Sequence, residues 1–249
     1  MATYDAYVQK GRVKLLLLGE PKSGKTGLIA SLANAGYSVG IMDVDNNLGI
    51  LETYLAPGHG KISAISIPAR EPGSWTKAKT LLTSWKDFQD DLGDPRKWNS
   101  NTVFVVDSAT FLGEICLASV LADNKVDIEK GQFDIGLYGV LQKRFENFVA
   151  DLCSADYLCH VIFIAHLRDL QDKASGILKT QPAFPGQQLP RTVARYCNNV
   201  FLTTRSEEGK PVLQTTSTKK MAYLGSSAPK KIKEVEAFDL GSIFKRIQS

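Results

Sequence analysis

The sequence predicts an α/β fold with a mostly parallel central sheet and helices on both of its faces. Short apolar runs typical of buried strands alternate with longer segments whose apolar residues recur at helical spacing, which is the βαβα pattern of parallel sheets. The chain has 249 residues, of which 43% are hydrophobic and 22% charged, so it can bury one large core. We therefore expect a single domain over residues 1–249.

The first half of the chain begins with two apolar strands and two helices. Residues 13–18 are the first strand, and a helical pattern follows residue 26. Residues 38–47, "SVGIMDVDNN", contain the second strand, which runs into the two aspartates Asp43 and Asp45. A longer helix is expected from Ser74, as its N-cap, to Gly93. The apolar residues at helical spacing that indicate this helix are Trp75, Ala78, Leu81, Leu82, Trp85, Phe88 and Leu92.

The second half continues the alternation. Residues 102–108, "TVFVVDS", are a third strand, followed by a helix over residues 111–122. A second long helix is marked by Leu137, Val140, Leu141, Phe145, Phe148, Val149 and Leu152. A strand at 160–166, a polar stretch at 168–191, a short helix and a strand at 199–204 come next. A hairpin turning at Glu208 and Gly209 then gives a C-terminal β-hairpin extension.

Composition excludes some classes of protein. No apolar run approaches the roughly 18 residues of a membrane span, and the start "MATYDAYVQKGRVK" lacks the layout of a secretion signal. We therefore expect a cytoplasmic protein with no membrane partner. The cysteines contain no CxxC pair and are expected to be reduced and mostly packed. They are Cys116, Cys153, Cys159 and Cys197.

The positive charge is concentrated near the C-terminus. Residues 205–249 hold nine Lys and Arg against five Asp and Glu, which accounts for the whole formal net charge of +4. The clusters at 218–220 and 229–234 could meet nucleic-acid phosphates. The alternative is a solvated, poorly ordered segment, especially around Lys230, Lys231 and Lys233.

The strongest motif is "GEPKSGKT", which follows the first strand and precedes the first helix. It meets the spacing GxxxxGK[ST] with Gly19, Gly24, Lys25 and Thr26. The glycines let backbone N–H groups and the following helix N-terminus point at phosphates. Lys25 would reach the β- and γ-phosphates of ATP, and the Thr26 hydroxyl would ligate Mg²⁺. The predicted nucleotide-binding residues are Gly19, Glu20, Pro21, Lys22, Ser23, Gly24, Lys25, Thr26 and Gly27.

Polar residues at the strand ends complete the predicted site, because ligands of parallel α/β sheets bind at the carboxyl ends of strands. Asp107 ends the most apolar strand and fits the acid that holds the magnesium water shell. Ser108 follows it where many ATPases have glutamate, so the carboxylate that orients water must come from elsewhere. Asp43 and Asp45 are the candidates, and Asp45 is preferred because it lies further beyond the strand. His166 ends another strand.

Taken in order, several segments resemble the core of RecA-type recombinases, and more closely the small RecA-like ATPases of bacteriophages associated with single-strand annealing and recombination. The segments are "GEPKSGKT", "IMDVD", "FVVDSAT", "DIGLYGVLQKRFENFVADL", "VIFIAHLRD" and "PGQQLPRTVARYCNNVFLTT". The resemblance covers roughly residues 12–224 and leaves a basic tail at about 225–249. It implies a three-layer P-loop NTPase core that hydrolyses ATP with Mg²⁺.

The resemblance also implies roles for individual residues. In such cores an acid at the second strand tip positions the hydrolytic water, and Asp45 matches it. A polar residue that senses the γ-phosphate ends the strand between those of the phosphate loop and the Mg²⁺ aspartate, and His166 matches it. Residues 122–136 and 168–190 would face DNA. The implied phosphate contacts are Arg168, Lys173 and Lys179, and the residues implied to reach a neighbouring subunit's nucleotide are Lys219 and Lys220.

The implied partners are single-stranded DNA, further copies of the chain, and a single-strand-binding or annealing protein. The implied location is the cytoplasm of a phage-infected bacterium. Two features depart from the family pattern. Only about a dozen residues precede the first strand, where the recombinase proper has an arm that joins subunits into a filament. Phe184 is the only aromatic residue in the expected DNA loop, so base stacking has little support there.

Other function classes stay open at this level. The "DxD" strand also resembles the ParA and MinD nucleotide switches, but these carry a second lysine near the start of the phosphate loop, and position 20 here is Glu. A small-molecule P-loop kinase would use residues 168–190 as a lid. A GTP switch is disfavoured although residues 124–127 spell "NKVD", because they follow Asp107 by only seventeen residues and Thr110 replaces the glycine of DxxG.

Overall fold

A nine-stranded mixed sheet lies at the centre of the protein, whose computed structural model describes residues 11–69, 71, 73–86, 91–126, 134–171 and 178–249. The strands are β1 Lys14–Leu18, β2 Ser38–Asp43, β3 Ile62–Ser66, β4 Trp85–Lys86, β5 Asp91–Gly93, β6 Thr102–Asp107, β7 His160–Ala165, β8 Leu167–Gln171, β9 Leu178–Pro182, β10 Asn199–Arg205, β11 Pro211–Gln214, β12 Gly225–Ser226 and β13 Val235–Ala237. The helices are α1 Lys25–Asn34, α2 Ser74–Thr80, α3 Ala109–Asp123, α4 Gly136–Leu152, α5 Leu189–Tyr196 and α6 Leu240–Gln248. Short 3₁₀ segments lie at Leu48–Thr53 and Pro95–Lys97.

The order of the strands confirms the predicted fold class. Across the described residues the sheet runs β13, β11, β10, β1, β7, β6, β2, β3, with β12 paired to β10. The six strands from β10 to β3 are parallel, so their carboxyl ends share one edge. Strand β11 returns antiparallel to β10 after a turn in which Gly209 has φ +78°, which is the predicted C-terminal hairpin.

Two hydrophobic cores, one on each face of the sheet, make the architecture three-layered. Leu15 and Leu17 of β1 face a core shared with α1 and α6. Their neighbours Leu16 and Leu18 face the larger core shared with α2, α3, α4 and α5. Successive strand residues point to opposite faces, so a strand that is covered on both faces is apolar throughout. This explains why β1 appears in the sequence as an uninterrupted apolar run.

The long helix predicted from Ser74 to Gly93 is wrong. Helix α2 ends at Thr80, and the residues after it enter the β4–β5 hairpin. Trp85 is fully buried, with ring centroids 5.2 Å from Trp98 and 5.1 Å from Phe104. Packing of this aromatic cluster outweighs the helical spacing of the local sequence. The predicted N-cap is also displaced, because Gly73 caps the helix and the Ser74 hydroxyl donates to the Pro68 carbonyl.

Two further segments differ from the sequence expectation. The polar stretch at 168–191 contains the antiparallel hairpin β8–β9, which no alternating pattern indicated. The basic C-terminal segment is folded, because β13 pairs with β11 and α6 buries Leu240, Ile243 and Phe244 against α1. A poorly ordered tail is therefore wrong for residues 235–248. Lys230, Lys231 and Lys233 are nevertheless exposed.

Two expectations from composition can be compared with the structure. In the described ranges no helix combines the length and hydropathy needed to cross a bilayer. The four cysteines are free thiols, three of them buried and Cys197 partly buried. Burial raises the pKa of Cys116 to about 12, which makes this thiol a packing group and a poor nucleophile.

His160 gives the fold a dependence on pH. Its ring packs 5.0 Å from that of Phe244, and its Nδ1 accepts a hydrogen bond from the Val13 amide at 2.9 Å. Burial lowers the His160 pKa from 6.5 to about 4, so between these values the unfolded chain binds a proton that the folded chain does not. This contribution to stability is present above the unfolded pKa and is lost as the pH falls.

We expect His160 alone to lower the free energy of unfolding by about 2 kcal/mol between about pH 7.5 and pH 5. His160→Asn keeps an acceptor near the Val13 amide but does not titrate. Urea unfolding of both proteins at the two pH values checks this, and the variant should show a pH-dependent loss about 2 kcal/mol smaller. Equal losses in the two proteins would show that His160 is not the titrating group.

Candidate nucleotide-binding site

The phosphate loop joins β1 to α1 and is shaped by glycine. Gly24, the residue before α1, has φ +88°, which glycine adopts without steric cost. A Cβ atom at Gly19 would lie 1.9 Å from the Thr203 hydroxyl oxygen, so only glycine fits where β10 approaches the loop. Lys22 also adopts a left-handed conformation, with φ +62°. The loop therefore has the tight curl that points backbone N–H groups at an anion.

Lys25 is the first residue of α1 and is 6% exposed. Its ammonium donates to the carbonyls of Gly19 at 2.9 Å and Glu20 at 2.7 Å, and so spans the inside of the loop. Burial lowers the Lys25 pKa, while the nearby carboxylates of Asp107, Glu20 and Asp45 oppose that shift. The side chain is thus a buried cation at the position where phosphates would enter.

Thr26 and Asp107 meet beneath the loop. The Thr26 hydroxyl donates to Asp107 Oδ2 at 2.7 Å, while Asp107 Oδ1 is buried without a hydrogen-bond partner. Burial, followed by repulsion from Asp45, raises the Asp107 pKa to about 7. A carboxylate and a hydroxyl are hard oxygen ligands, and a cation placed here would relieve the cost of burying the charge.

His166 lies between the phosphate loop and Asp107 because β7 pairs with β1 on one side and β6 on the other. Its backbone N–H donates to the Thr110 hydroxyl at 2.9 Å, and its ring lies 5.6 Å from that of Phe111. Its Nδ1 is buried without a partner. Burial lowers the His166 pKa, Lys25 lowers it further, and Asp45 opposes the shift, so a neutral imidazole is favoured near pH 7.

The two aspartates at the end of β2, Asp43 as its last residue and Asp45 two residues later, differ in their surroundings. Asp43 is 6% exposed, and its Oδ1 accepts from the Asn46 amide at 2.9 Å, which fixes the turn that follows the strand. Asp45 Oδ1 is buried without a hydrogen-bond partner. Burial raises the Asp45 pKa, and the opposing attraction comes from His166 first and then Lys25. Asp45 therefore faces the site, whereas Asp43 supports the turn that carries it.

These features fit an ATP–Mg²⁺ complex. Three buried polar atoms lack hydrogen-bond partners: Asp45 Oδ1, Asp107 Oδ1 and His166 Nδ1. The pKa of each of these residues is shifted by the charge of Lys25 or of another member of the set. Such atoms are costly unless a ligand completes them. Mg²⁺ is typically held by one or two carboxylates together with substrate phosphates and water, and Asp107 with the Thr26 hydroxyl could supply the protein ligands.

Three residues that lie near the loop were not predicted from the sequence. The rings of Tyr54 and Phe238 flank the start of α1, because a Cβ atom at Gly27 would lie 2.8 Å from Tyr54 and one at Gly24 would lie 3.0 Å from Phe238. Thr203 of β10 is buried, and its hydroxyl donates to the Leu18 carbonyl at 3.1 Å. Their placement depends on long-range packing, and only the strand-end position of Thr203 offered a signal.

Thr203 holds the phosphate loop from the neighbouring strand. Its single hydroxyl proton goes to Leu18, so the Ser23 hydroxyl, 2.6 Å away, donates to Thr203. Thr203→Val keeps the branched shape but leaves both loop groups without this partner. We expect the KM for ATP to rise about 10-fold with little change in kcat, because the loop loses its support before ATP binds. Steady-state ATP hydrolysis measures both constants.

Thr203→Ser is the control for this prediction, because it restores the hydroxyl and removes only a methyl group. Its KM should return to near the wild-type value. A serine variant as defective as the valine variant would show that methyl packing, and not the hydrogen bonds, supports the loop.

Two of the three predicted DNA-contact residues, Arg168 and Lys179, lie on the β8–β9 hairpin. The Arg168 guanidinium donates to the Gly186 carbonyl, so it holds the segment after β9. Lys173 lies outside the described residues. Lys179 is exposed on β9. Phe184 is 1% exposed and packs 5.6 Å from Phe145, so it is a core residue with no face for a base.

Lys219 and Lys220 are exposed and lie beside β9, where the Thr180 amide donates to the Lys220 carbonyl at 3.0 Å. Seven of the fifteen residues in the other predicted DNA-facing segment, 122–136, lie at 127–133, outside the described residues. The "NKVD" stretch starts at the end of α3, where Asn124 is the C-cap and its Nδ2 donates to the Val120 carbonyl at 2.7 Å. This asparagine therefore ends a helix.

A known protein family matches most of the chain, including the phosphate loop. No curated protein matches the chain. The family described as AAA domain matches residues 12–222, which include the phosphate loop, both aspartates after β2, Asp107 and His166. The match indicates nucleotide binding and ATPase activity in general. The chain belongs to the AAA domain family of P-loop NTPases.

Proposed function

We propose that this protein is a Mg²⁺-dependent ATPase that acts on single-stranded DNA in bacteriophage recombination, replication or annealing. The observation that carries the ATPase part is the strand order β1, β7, β6, β2, which places Lys25, His166, Asp107 and Asp45 around one loop. The DNA part is supported by the resemblance to small RecA-like phage ATPases and by the exposed lysines Lys179, Lys219 and Lys220 on or beside β9.

Each side chain has a distinct part in the proposed hydrolysis. Lys25 would bind the β- and γ-phosphate oxygens, exchanging its two carbonyl acceptors for anionic ones. Thr26 and Asp107 would hold Mg²⁺, which when bound neutralises charge on the phosphates. Asp45 would orient the attacking water, and the Lys25 ammonium favours its carboxylate form against the opposing effect of burial. His166 would contact the γ-phosphate through a ring N–H.

A continuous backbone path supports coupling between the nucleotide and the DNA. Strand β8 begins at Leu167, directly after His166, and the Ala183 amide after β9 donates to the His166 carbonyl at 2.8 Å. The base of the hairpin is thus fixed to the residue proposed to contact the γ-phosphate. A change in His166 on ATP binding would be transmitted directly to β8–β9.

The test is hydrolysis of ATP or GTP at low salt, each with and without single-stranded DNA, and with and without Mg²⁺. We expect Mg²⁺-dependent hydrolysis of ATP that single-stranded DNA stimulates. A rate that does not respond to DNA would contradict the DNA part and favour a nucleotide switch or a kinase. Hydrolysis that is unaffected by chelation of Mg²⁺ would contradict the proposed metal site.

A further inference from the structure

A groove of about 760 Å³ lies between β8–β9, the start of α5 and residues 219–223. Twelve of the described residues line it, and none of these twelve is Asp or Glu. Four are cations, Lys179, Arg191, Lys219 and Lys220, while four others are glutamines and one is Tyr223. A single-sign basic groove of this kind concentrates anions.

Lys219 and Lys220, two of the three lysines in the groove, are carried on a fixed turn. The Thr218 amide donates to the Met221 carbonyl at 2.9 Å, and the Met221 amide donates to the Thr218 hydroxyl at 3.1 Å. Met221 is 3% exposed and packs in the larger core, while the Lys220 carbonyl accepts from Thr180 of β9. The backbone that carries the lysines is therefore held from both sides, although the side chains are exposed.

Three of the cations are available for an external anion. Within the described part of the chain, Arg191, Lys219 and Lys220 form no ion pair, and all three are exposed. Arg191 lies in the first turn of α5 and lines the groove together with the two lysines. Several cations in one groove suit a chain of phosphates, because each phosphate carries its own charge.

The remaining lining suits bases. Tyr223 is half-buried, packs against the larger core and lines the groove. An aromatic ring supported in this way is a stacking platform for a flat base. Gln187 and Gln188 are exposed beside it and carry both donors and acceptors for base edges. The bases of a duplex are stacked inside the helix, so this lining favours a single strand.

We infer that this groove binds single-stranded DNA, with phosphates on Lys219, Lys220 and Arg191 and a base on Tyr223. The inference rests on the proposed function and gives its DNA a location. It assigns Lys219 and Lys220 to DNA that is bound by their own subunit. The family resemblance implied instead that these lysines contact the nucleotide of a neighbouring subunit. Base stacking comes from Tyr223, after the buried Phe184 is excluded.

The test measures binding of a fluorescently labelled single-stranded oligonucleotide by anisotropy at several salt concentrations. We expect Lys219→Ala with Lys220→Ala to weaken binding about 10-fold or more and to make the slope of log K against log salt shallower by about 1.4. Tyr223→Leu keeps apolar packing and should weaken binding about 5- to 10-fold with an unchanged salt slope. The matched control, Lys230→Ala with Lys233→Ala, removes two exposed lysines outside the groove and should bind like wild type.

ATP hydrolysis without DNA is measured for each variant and should match wild type, which also shows that the variants are folded. If wild type binds DNA and the Lys219/Lys220 variant binds equally well, or the control loses as much affinity, the groove assignment is wrong while the proposed function stands. An increased KM for ATP with unchanged DNA binding in the Lys219/Lys220 variant would indicate that these lysines contact the nucleotide of a neighbouring subunit. Absence of DNA binding by wild type would overturn the proposed DNA function itself.

Discussion

Lys25→Ala should lower the rate of ATP hydrolysis by about 10²- to 10³-fold, the largest effect we expect from a single substitution in the loop. The ammonium is buried and fixed by two backbone carbonyls, so it is already at the phosphate position before ATP arrives. A preorganised charge in a water-poor site stabilises developing negative charge far better than one in water. Phosphate release at saturating ATP measures the effect.

Lys22→Ala is the matched control, because it removes a lysine from the same loop. Lys22 is exposed and has a positive φ. Alanine adopts a positive φ at about the same energetic cost as lysine. We expect its hydrolysis rate to stay within a few-fold of wild type. Equal losses in the two variants would mean that the loop needs general positive charge, and that the buried position of Lys25 has no special role.

The parallel core was predictable because its signals are local. Strands covered on both faces are continuous apolar runs, and the phosphate loop has a fixed spacing of glycines between a strand and a helix. The polar strand ends could be placed together because parallel strands share one carboxyl edge. The position of β7 between β1 and β6 was implied by family resemblance alone, since strand order is set by packing between distant segments.

The failures come from contacts that sequence periodicity does not encode. Trp85 leaves the helical pattern because Trp98 and Phe104 offer a buried aromatic partner surface. Thr203 supports a loop 180 residues away in sequence, and the sequence near Thr203 shows only that it lies close to a strand end. The basic groove joins β9, α5 and residues 219–223, which were considered separately in the sequence. In each case tertiary packing determined the role of the residue.

The choice between the two aspartates after β2 also needed the structure. Both lie at the end of an apolar strand. From the sequence, Asp45 was the preferred water-orienting residue only because it lies further beyond the strand. The hydrogen bond from the Asn46 amide commits Asp43 to its own turn, while Asp45 keeps a buried oxygen without a partner and lies in the field of Lys25 and His166. A carboxylate in that state can accept a hydrogen bond from water.

Asp45→Asn should therefore bind ATP at least as tightly as wild type and lose turnover by about 10²-fold or more. The amide keeps the size of the side chain but removes the charge that orients and polarises the water, and it also removes repulsion toward the γ-phosphate. Binding of a fluorescent ATP analogue and single-turnover hydrolysis measure the two effects separately. Asp45→Glu retains the carboxylate and should hydrolyse ATP faster than Asp45→Asn.

Asp43→Asn provides the decisive comparison. Its amide oxygen can still accept from the Asn46 amide, so the turn after β2 should persist and turnover should stay within a few-fold of wild type. The opposite outcome, with turnover lost in Asp43→Asn and retained in Asp45→Asn, would transfer the catalytic role to Asp43. Loss in both variants with unchanged ATP binding would mean that the pair acts together, because the charge of Asp45 also raises the pKa of Asp43.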